Sequence, residues 1–284
     1  MLKINFESEH EIYLGCHIEH FVFNDGSVNV SIDVDGVSLS GTTSMTIQAS
    51  LKTPEDQMAL VLAVDAAREL CPGVPVDLHL SYCPYGRQDQ VFNKGEANGM
   101  KAWAGVINSL GFRTVTLYDP HSIAYNFIDN VVVVDQISIL KRMDIMRRAK
   151  DLVLVSPDAG SNKKCHKIAK EFGMDKIVRA DKIRETSTGN IIMTELYGDV
   201  EGDDCIIVDD LCDGGMTFIK LAEKLRERGA NTITLFVTHG LFTKGLSVFN
   251  GLIDEIITTK TWERSTDEIN QLREEFDGTF TIVN

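Results

Sequence analysis

Four apolar residues, Cys205 to Val208, run straight into two adjacent carboxylates, Asp209 and Asp210. A glycine-containing turn, Asp213-Gly214-Gly215-Met216, then leads into a helix expected from Thr217 to Arg228. Backbone N–H groups at such a turn and helix start can cradle a phosphate. Asp209 and Asp210 are poorly placed against a phosphate alone. They fit better beside ribose hydroxyls or a hydrated Mg²⁺. The plain alternative is a capped turn with two solvent-facing acids. No GxxxxGK[ST] run occurs, so this is not a P-loop.

The elements that must position these groups alternate along the chain. The first fifty residues read as strands, with Val28 to Asp33 and Val37 to Leu39 alternating apolar and polar and Asp35-Gly36 between them as a hairpin-like turn. Thr53 suits a helix N-cap and Pro54 the first helical position, ahead of apolar residues recurring from Met58 to Leu70. Val76 to Leu80 reads as a strand, Gly99 to Leu110 as a helix stopped by Gly111, and Thr114 to Leu117 as a strand. Val131 to Val134 has the continuous apolar character of a buried parallel strand, and a charged helix is expected over Ile137 to Lys150.

A second unit is expected to start near Asp151. Leu152 to Val155, Ile177 to Val178, Cys205 to Val208 and Thr232 to Val237 read as strands. In the Thr217 helix, Phe218, Leu221, Ala222 and Leu225 fall on one stripe, and Gly229 ends it. This alternation predicts an α/β fold of two tandem domains with mainly parallel sheets, residues 1–148 and 149–284. Ligands of such sheets sit at the carboxyl ends of strands, so residues just after strands carry the most weight.

Composition bounds the possibilities. With 284 residues, 43% hydrophobic and 25% charged, the chain is globular and large enough for two units. Lys and Arg total 28 against 42 Asp and Glu, a net charge of −14, which argues against nonspecific nucleic-acid or anionic-membrane binding. No apolar run reaches the roughly 18 residues of a membrane span, and the N-terminus lacks the apolar core of a signal peptide. The six cysteines form no CxxC pair and read as free thiols in a reducing, cytoplasmic setting.

The 205–217 segment resembles the phosphoribosyl-diphosphate loop shared by type I phosphoribosyltransferases and ribose-phosphate diphosphokinases. Other segments select the second group: Arg87-Gln88-Asp89, Asp119-Pro120-His121, Ser156-Pro157-Asp158-Ala159-Gly160, Gly198-Asp199-Val200-Glu201-Gly202 and Thr238-His239-Gly240-Leu241-Phe242. In order and spacing they are similar to the phosphoribosyl-diphosphate synthetases over nearly the whole chain. The resemblance implies two phosphoribosyltransferase-like domains. It also implies transfer of the diphosphoryl group of ATP to the anomeric hydroxyl of ribose 5-phosphate, leaving AMP, in a homo-oligomer.

The resemblance further implies roles. His121 and Asp158 match Mg²⁺ ligands, with His121 also at the ATP site, and Asp119 supports the His121 turn. Lys182 and Arg184 match catalytic cations; on an extended segment, alternate residues point the same way. Arg87, Gln88 and Asp89 match ATP-site residues, and Arg87 offers a planar fork of donors to a phosphate. Phe23 and Asp25 match a loop that reaches the adenine of a neighbouring subunit. Asp209, Asp210, Asp213, Gly214, Gly215 and Thr217 match the ribose-phosphate loop. Without the resemblance, His121 reads as a structural hydrogen-bonder, Lys182 to Glu185 as a solvated loop, and Phe23 to Ser27 as a hairpin turn.

Several positions depart from the family's pattern. Ile183 stands inside what is usually Lys-Arg-Arg, and Ser27 where Glu is usual. Val91-Phe92-Asn93-Lys94 alters the basic spacing after Asp89. Thr279 to Asn284 is expected to leave no room for the usual last helix. In the phosphate loop Gly214 lacks the usual threonine hydroxyl and Met216 replaces a glycine. One lost donor to a charged acceptor costs on the order of 1.5–3 kcal/mol if nothing replaces it. The acceptor is therefore open between ribose 5-phosphate and ADP-ribose, whose 5-phosphate continues into a diphosphate as in an NAD-salvage intermediate. A non-catalytic regulatory homologue and a phosphoribosyltransferase are the remaining alternatives.

Overall fold

The computed structural model describes residues 1–8, 12–184 and 191–283, with backbone alone at 12–14, 182–184 and 191–194. The chain divides into two compact units, Met1–Asp135 and Gln136–Asn284, so the boundary falls earlier than the expected break after residue 148. No helix among the described residues is long and apolar enough to cross a membrane.

The first unit runs β1 (Leu2–Ser8), β2 (Ile12–Val22), β3 (Val28–Ile32), β4 (Thr42–Ala49), α1 (Pro54–Leu70), β5 (Val76–Leu80), α2 (Gly99–Ser109), β6 (Val115–Tyr118) and β7 (Val131–Val134). Its seven-stranded sheet has the order β3-β2-β1-β4-β5-β6-β7. Strands β4 to β7 are parallel, whereas β1 to β3 pair antiparallel. The hairpin of this region is β2–β3, turning at Phe23 to Ser27. The Asp35-Gly36 turn exists, closed by Val37 N–H to the Val34 carbonyl, but Val37 to Leu39 adds no strand. Those apolar residues instead pack against the core from a loop.

Helix α1 begins where its sequence dictates. Thr53 Oγ1 accepts from Asp56 N–H (3.1 Å), and Asp56 Oδ2 accepts from Thr53 N–H (3.0 Å) and Lys52 N–H (2.9 Å). This reciprocal box satisfies helix-end donors that have no partner within the helix. The helix buries Ala59, Leu60, Ala63, Val64 and Ala67, a single stripe at helical spacing. Strand β7 differs from expectation: as the last strand of its sheet it is only half-buried, and Val132 is exposed.

The second unit contains α3 (Gln136–Leu140), β8 (Leu152–Ser156), α4 (Asn162–Phe172), β9 (Ile177–Arg184), β10 (Ile191–Tyr197), β11 (Asp204–Cys212), α5 (Met216–Glu227), β12 (Thr232–Gly240), β13 (Glu255–Thr259), α6 (Thr266–Glu275) and β14 (Thr279–Val283). Its order is β10-β9-β8-β11-β12-β13-β14, parallel except for β9–β10. The charged helix expected over 137–150 is two pieces, α3 and a 3-10 stretch at Asp144–Asp151. Bonds from Arg142, Met143 and Met146 N–H each reach back three residues, tightening the turns and separating the pieces. Helix α5 presents Phe218, Leu221, Ala222 and Leu225 to the core, as its spacing predicts.

Burial opposes ionisation of Asp56, but the N–H groups of Lys52 and Thr53, the Met1 ammonium and the Thr53 hydroxyl outweigh it and hold the carboxyl below its ordinary value. Its stabilisation is therefore complete above about pH 4 and is lost as pH falls through the lower folded value. Asp56→Ala is expected to cost about 0.5–2 kcal/mol in urea unfolding at neutral pH. The gap from wild type should narrow in acid; a gap constant with pH contradicts this account.

Candidate active site

Strand β11 carries the centre of the second unit. Its pairing with β8 ends at Ile207↔Val155, but its pairing with β12 continues to Cys212↔Gly240. Asp209 and Asp210 thus lie on the strand itself, beyond the end of β8, rather than in the turn after it. Asp210 is 8% exposed and Asp209 half-buried, which corrects the solvent-facing alternative. Asp209 Oδ1 accepts from Asp210 N–H at 2.9 Å. Burial pushes the Asp209 carboxyl well above the usual carboxylate range, and the Asp210 charge adds to this while Lys164 of α4 opposes it.

The glycine turn converts strand into helix. Gly215 has φ +78°, and a Cβ there would stand 2.5 Å from Phe249 Cζ. Only glycine fits both the left-handed backbone and the ring beneath it. The turn is tethered to the loop after β12: Thr243 donates its hydroxyl to Asp213 Oδ1 (2.8 Å) and its N–H to the Asp213 carbonyl (3.1 Å). Leu241 and Phe242 N–H both bond the Cys212 carbonyl. Helix α5 has no side-chain cap, and Phe218 N–H bonds the Gly215 carbonyl (2.9 Å), so the N–H groups of Met216 and Thr217 are those its first turn can offer an anion.

Asp158 lies in the turn between β8 and α4, where its Oδ1 accepts from Ser161 N–H and Oγ, each at 2.9 Å. Cys165 lies between this turn and β11: its thiol bonds Ser156 and feels both Asp209 and Asp158, but burial pushes it up to about 11. It is a packing residue rather than a nucleophile. The second unit therefore gathers Asp158, Asp209, Asp210 and the 213–217 turn at the carboxyl ends of adjacent parallel strands.

Sequence reasoning missed the groups that brace this region. Buried Gln136 donates to the Asp209 carbonyl (2.6 Å) and to Thr238 Oγ1 (3.1 Å). Arg264 donates to the carbonyls of Gly240 and Leu241 (2.8 Å for the latter) and stacks 5.5 Å from the Phe242 ring centroid. The Thr238 carbonyl accepts from the hydroxyls of Thr259 (2.7 Å) and Thr261 (2.9 Å). His239, 2% exposed, bonds Thr261 Oγ1 through Nδ1 at 2.8 Å. The Thr238-His239 motif is thus a buried brace.

In the first unit, Arg87 and Gln88 are exposed and Asp89 half-buried. Their backbone is fixed by Gln88 N–H to the Tyr85 carbonyl (2.8 Å), Met100 N–H to the Gln88 carbonyl (3.1 Å) and Asn98 Nδ2 to the Asp89 carbonyl (2.8 Å). His121 is exposed in the turn after β6, and a Cβ on neighbouring Gly86 would lie 3.9 Å from His121 Cβ. The turn before Arg87 and the turn that carries His121 therefore lie side by side. Asp119 is buried beneath the turn, with its N–H on the Val134 carbonyl (2.9 Å).

Phe23 and Asp25 stand at the β2–β3 hairpin tip. Phe23 is 51% exposed and meets Phe21 edge-on at 4.7 Å. Ser27, where the family usually has Glu, donates its hydroxyl (2.6 Å) and N–H (3.0 Å) to Asp25 Oδ1 and lowers that carboxyl's pKa. Lys182 and Arg184 lie on the β9 backbone, opposite Thr194 and Ile191; their side chains, and residues 185–190, are outside the described residues.

Among the described residues no group of three or more His, Cys, Asp or Glu could cage a metal. A donor set of one imidazole and one carboxylate suits Mg²⁺, which keeps several water and phosphate oxygens.

Known proteins are similar to this chain. A profile described as the phosphoribosyl synthetase-associated domain matches residues 169–274. The ribose-phosphate pyrophosphokinase of Vibrio cholerae is 33% identical over 245 residues, 84% of this chain and 76% of that protein. That of Haemophilus ducreyi is 31% identical over 257 residues, 88% and 79% of the two chains. The phosphoribosylpyrophosphate synthetase structure from Mycobacterium smegmatis has the same fold, with a TM-score of 0.77 and 23% identity over 95% of this chain and 86% of that one.

Gly215→Ala places a methyl against Phe249 at a left-handed backbone position, so a stability loss of about 1–3 kcal/mol is expected. Denaturant unfolding of the variant checks it; wild-type stability contradicts the role given to this turn.

Proposed function

This chain belongs to the ribose-phosphate pyrophosphokinase family, and from that premise we propose that it transfers the β,γ-diphosphate of ATP to the anomeric hydroxyl of ribose 5-phosphate, releasing AMP. The observation that carries this reading is the pair of acids on β11 followed directly by the uncapped start of α5. A carboxylate only accepts hydrogen bonds, and a helix start only donates them. A ligand with adjacent hydroxyls and a phosphate satisfies both.

In this mechanism Asp209 and Asp210 accept from the ribose hydroxyls. The N–H groups around Gly214, Gly215 and Thr217 receive the 5-phosphate. The anomeric oxygen attacks the β-phosphorus of ATP, the bond to the α-phosphate oxygen breaks, and AMP leaves. Lys182 and Arg184 balance charge on the transferring group, which asks for electrostatic stabilisation more than covalent help. Arg87, Gln88 and Asp89 orient ATP. His121 and Asp158 are assigned to Mg²⁺, which would neutralise phosphate charge when bound. Phe23 and Asp25 are assigned to the adenine of a neighbouring copy, which makes the enzyme a homo-oligomer.

One observation favours a second acceptor. The turn has no side chain at Gly214, and Met216 is 47% exposed beside it. A turn without a hydroxyl fixed at position 214 tolerates a 5-phosphate that continues into a diphosphate, as in ADP-ribose.

Purified protein with ATP and Mg²⁺ is expected to release AMP when ribose 5-phosphate or ADP-ribose is supplied, and to stop when the metal is chelated. His121→Ala should lower kcat by about 10²–10³-fold. Release with only one sugar identifies the acceptor; no AMP with either overturns the proposed reaction.

A further inference from the structure

The acceptor turn lacks a side-chain donor at Gly214, yet it is not without a cation. Lys244, from the loop after β12, lays its side chain across this glycine. A Cβ built on Gly214 would stand 3.5 Å from Lys244 Cε, 3.6 Å from Cδ and 3.8 Å from Cγ, all ordinary contacts. The ammonium is one bond beyond Cε, and a hydroxyl at position 214 would be one bond beyond that Cβ. The two polar groups therefore serve the same neighbourhood. The backbone leading into the lysine is tethered to the turn, because the preceding residue, Thr243, bonds Asp213 through both its hydroxyl and its N–H.

Lys244 is exposed and makes no hydrogen bond or ion pair among the described residues, although it lies beside a turn that begins with a carboxylate. The charge balance of the turn calls for such a group. Asp209, Asp210 and Asp213 all precede the place assigned to a dianionic sugar phosphate. A cation on the far side of Gly214 offsets their repulsion where the phosphate would sit.

We propose that Lys244 determines acceptor binding by holding the 5-phosphate in place of the hydroxyl that Gly214 lacks. This assignment rests on the proposed reaction for the identity of the ligand. A lysine ammonium is a flexible point charge rather than a directed donor. It can hold a terminal phosphate or one joined to a second phosphate, whereas a short hydroxyl fixes one geometry. Gly214 and Lys244 together then explain an acceptor site that is open in shape and still selective for charge.

The test is calorimetric titration of ribose 5-phosphate into the intact protein, alongside AMP-release kinetics. Lys244→Ala should weaken acceptor binding about tenfold or more, as for the loss of one charge-assisted contact. The KM for ATP and the melting temperature should not change. Lys244→Arg should retain most of the affinity. Gly214→Ser, for which the structure has room, should restore part of the ribose 5-phosphate affinity in the Lys244→Ala background. Unchanged acceptor affinity in Lys244→Ala overturns the proposal, even where wild type releases AMP and the reaction itself stands. Sugar-phosphate binding that disappears in Lys244→Ala, with no AMP from wild type, supports the lysine while removing the reaction. Wild type that binds no sugar phosphate overturns both.

Discussion

Two carboxylates on one buried strand end are the constraint around which the second unit is arranged. Asp209 and Asp210 are placed by β11, whose pairing with β12 outlasts its pairing with β8. The strand that exposes their flank also removes them from water. Burial and mutual repulsion raise the free energy of the ionised pair, and the surroundings answer that cost with specific groups. Lys164 lowers the Asp209 carboxyl electrostatically, and Asp210 N–H bonds it. Gln136 holds the backbone beneath it.

Around this pair, framework and chemistry are separated by burial. The carbonyl of Thr238 is held by threonine hydroxyls, His239 is buried against Thr261, and Arg264 fixes the carbonyls that follow. These polar groups are satisfied by one another and fix the carboxyl end of β12. Within the second unit, Lys244 and Met216 are exposed and Asp213, Gly214 and Thr217 half-buried; within the first, Arg87, Gln88 and His121 are exposed. A hydrogen-bonded floor within the second unit lets its turn keep its geometry while its solvent-facing residues vary.

Much of this architecture is legible from residue order. Buried parallel strands such as β8 and β11 announce themselves by unbroken apolar runs, and α5 by its stripe and glycine stop. The resemblance in motif order placed the family, and the two-unit α/β fold agrees with it. Three features were hidden for physical reasons. An edge strand such as β7 has the same composition as a central one, because position in the sheet is set by distant pairing. The Asp35-Gly36 turn signal suggested a strand at Val37 to Leu39 that does not form, whereas the turn joining β2 and β3 is the hairpin turn read at Phe23 to Ser27. Gln136, Lys164, Lys244 and Arg264 reach the site from remote segments, so no local spacing marks them. Lys244 in particular gains meaning only from the glycine it crosses.

The central claim is that this site moves two phosphoryl groups together onto a sugar held by the Asp209–Asp210 pair. Phosphorus NMR of the reaction of wild-type protein with ATP, Mg²⁺ and ribose 5-phosphate tests it most directly. The account predicts AMP and a sugar-bound diphosphate in equal amounts, and neither product once both acids are changed to asparagine. The appearance of ADP with a singly phosphorylated anomeric carbon, or full product from the doubly substituted protein, would contradict it.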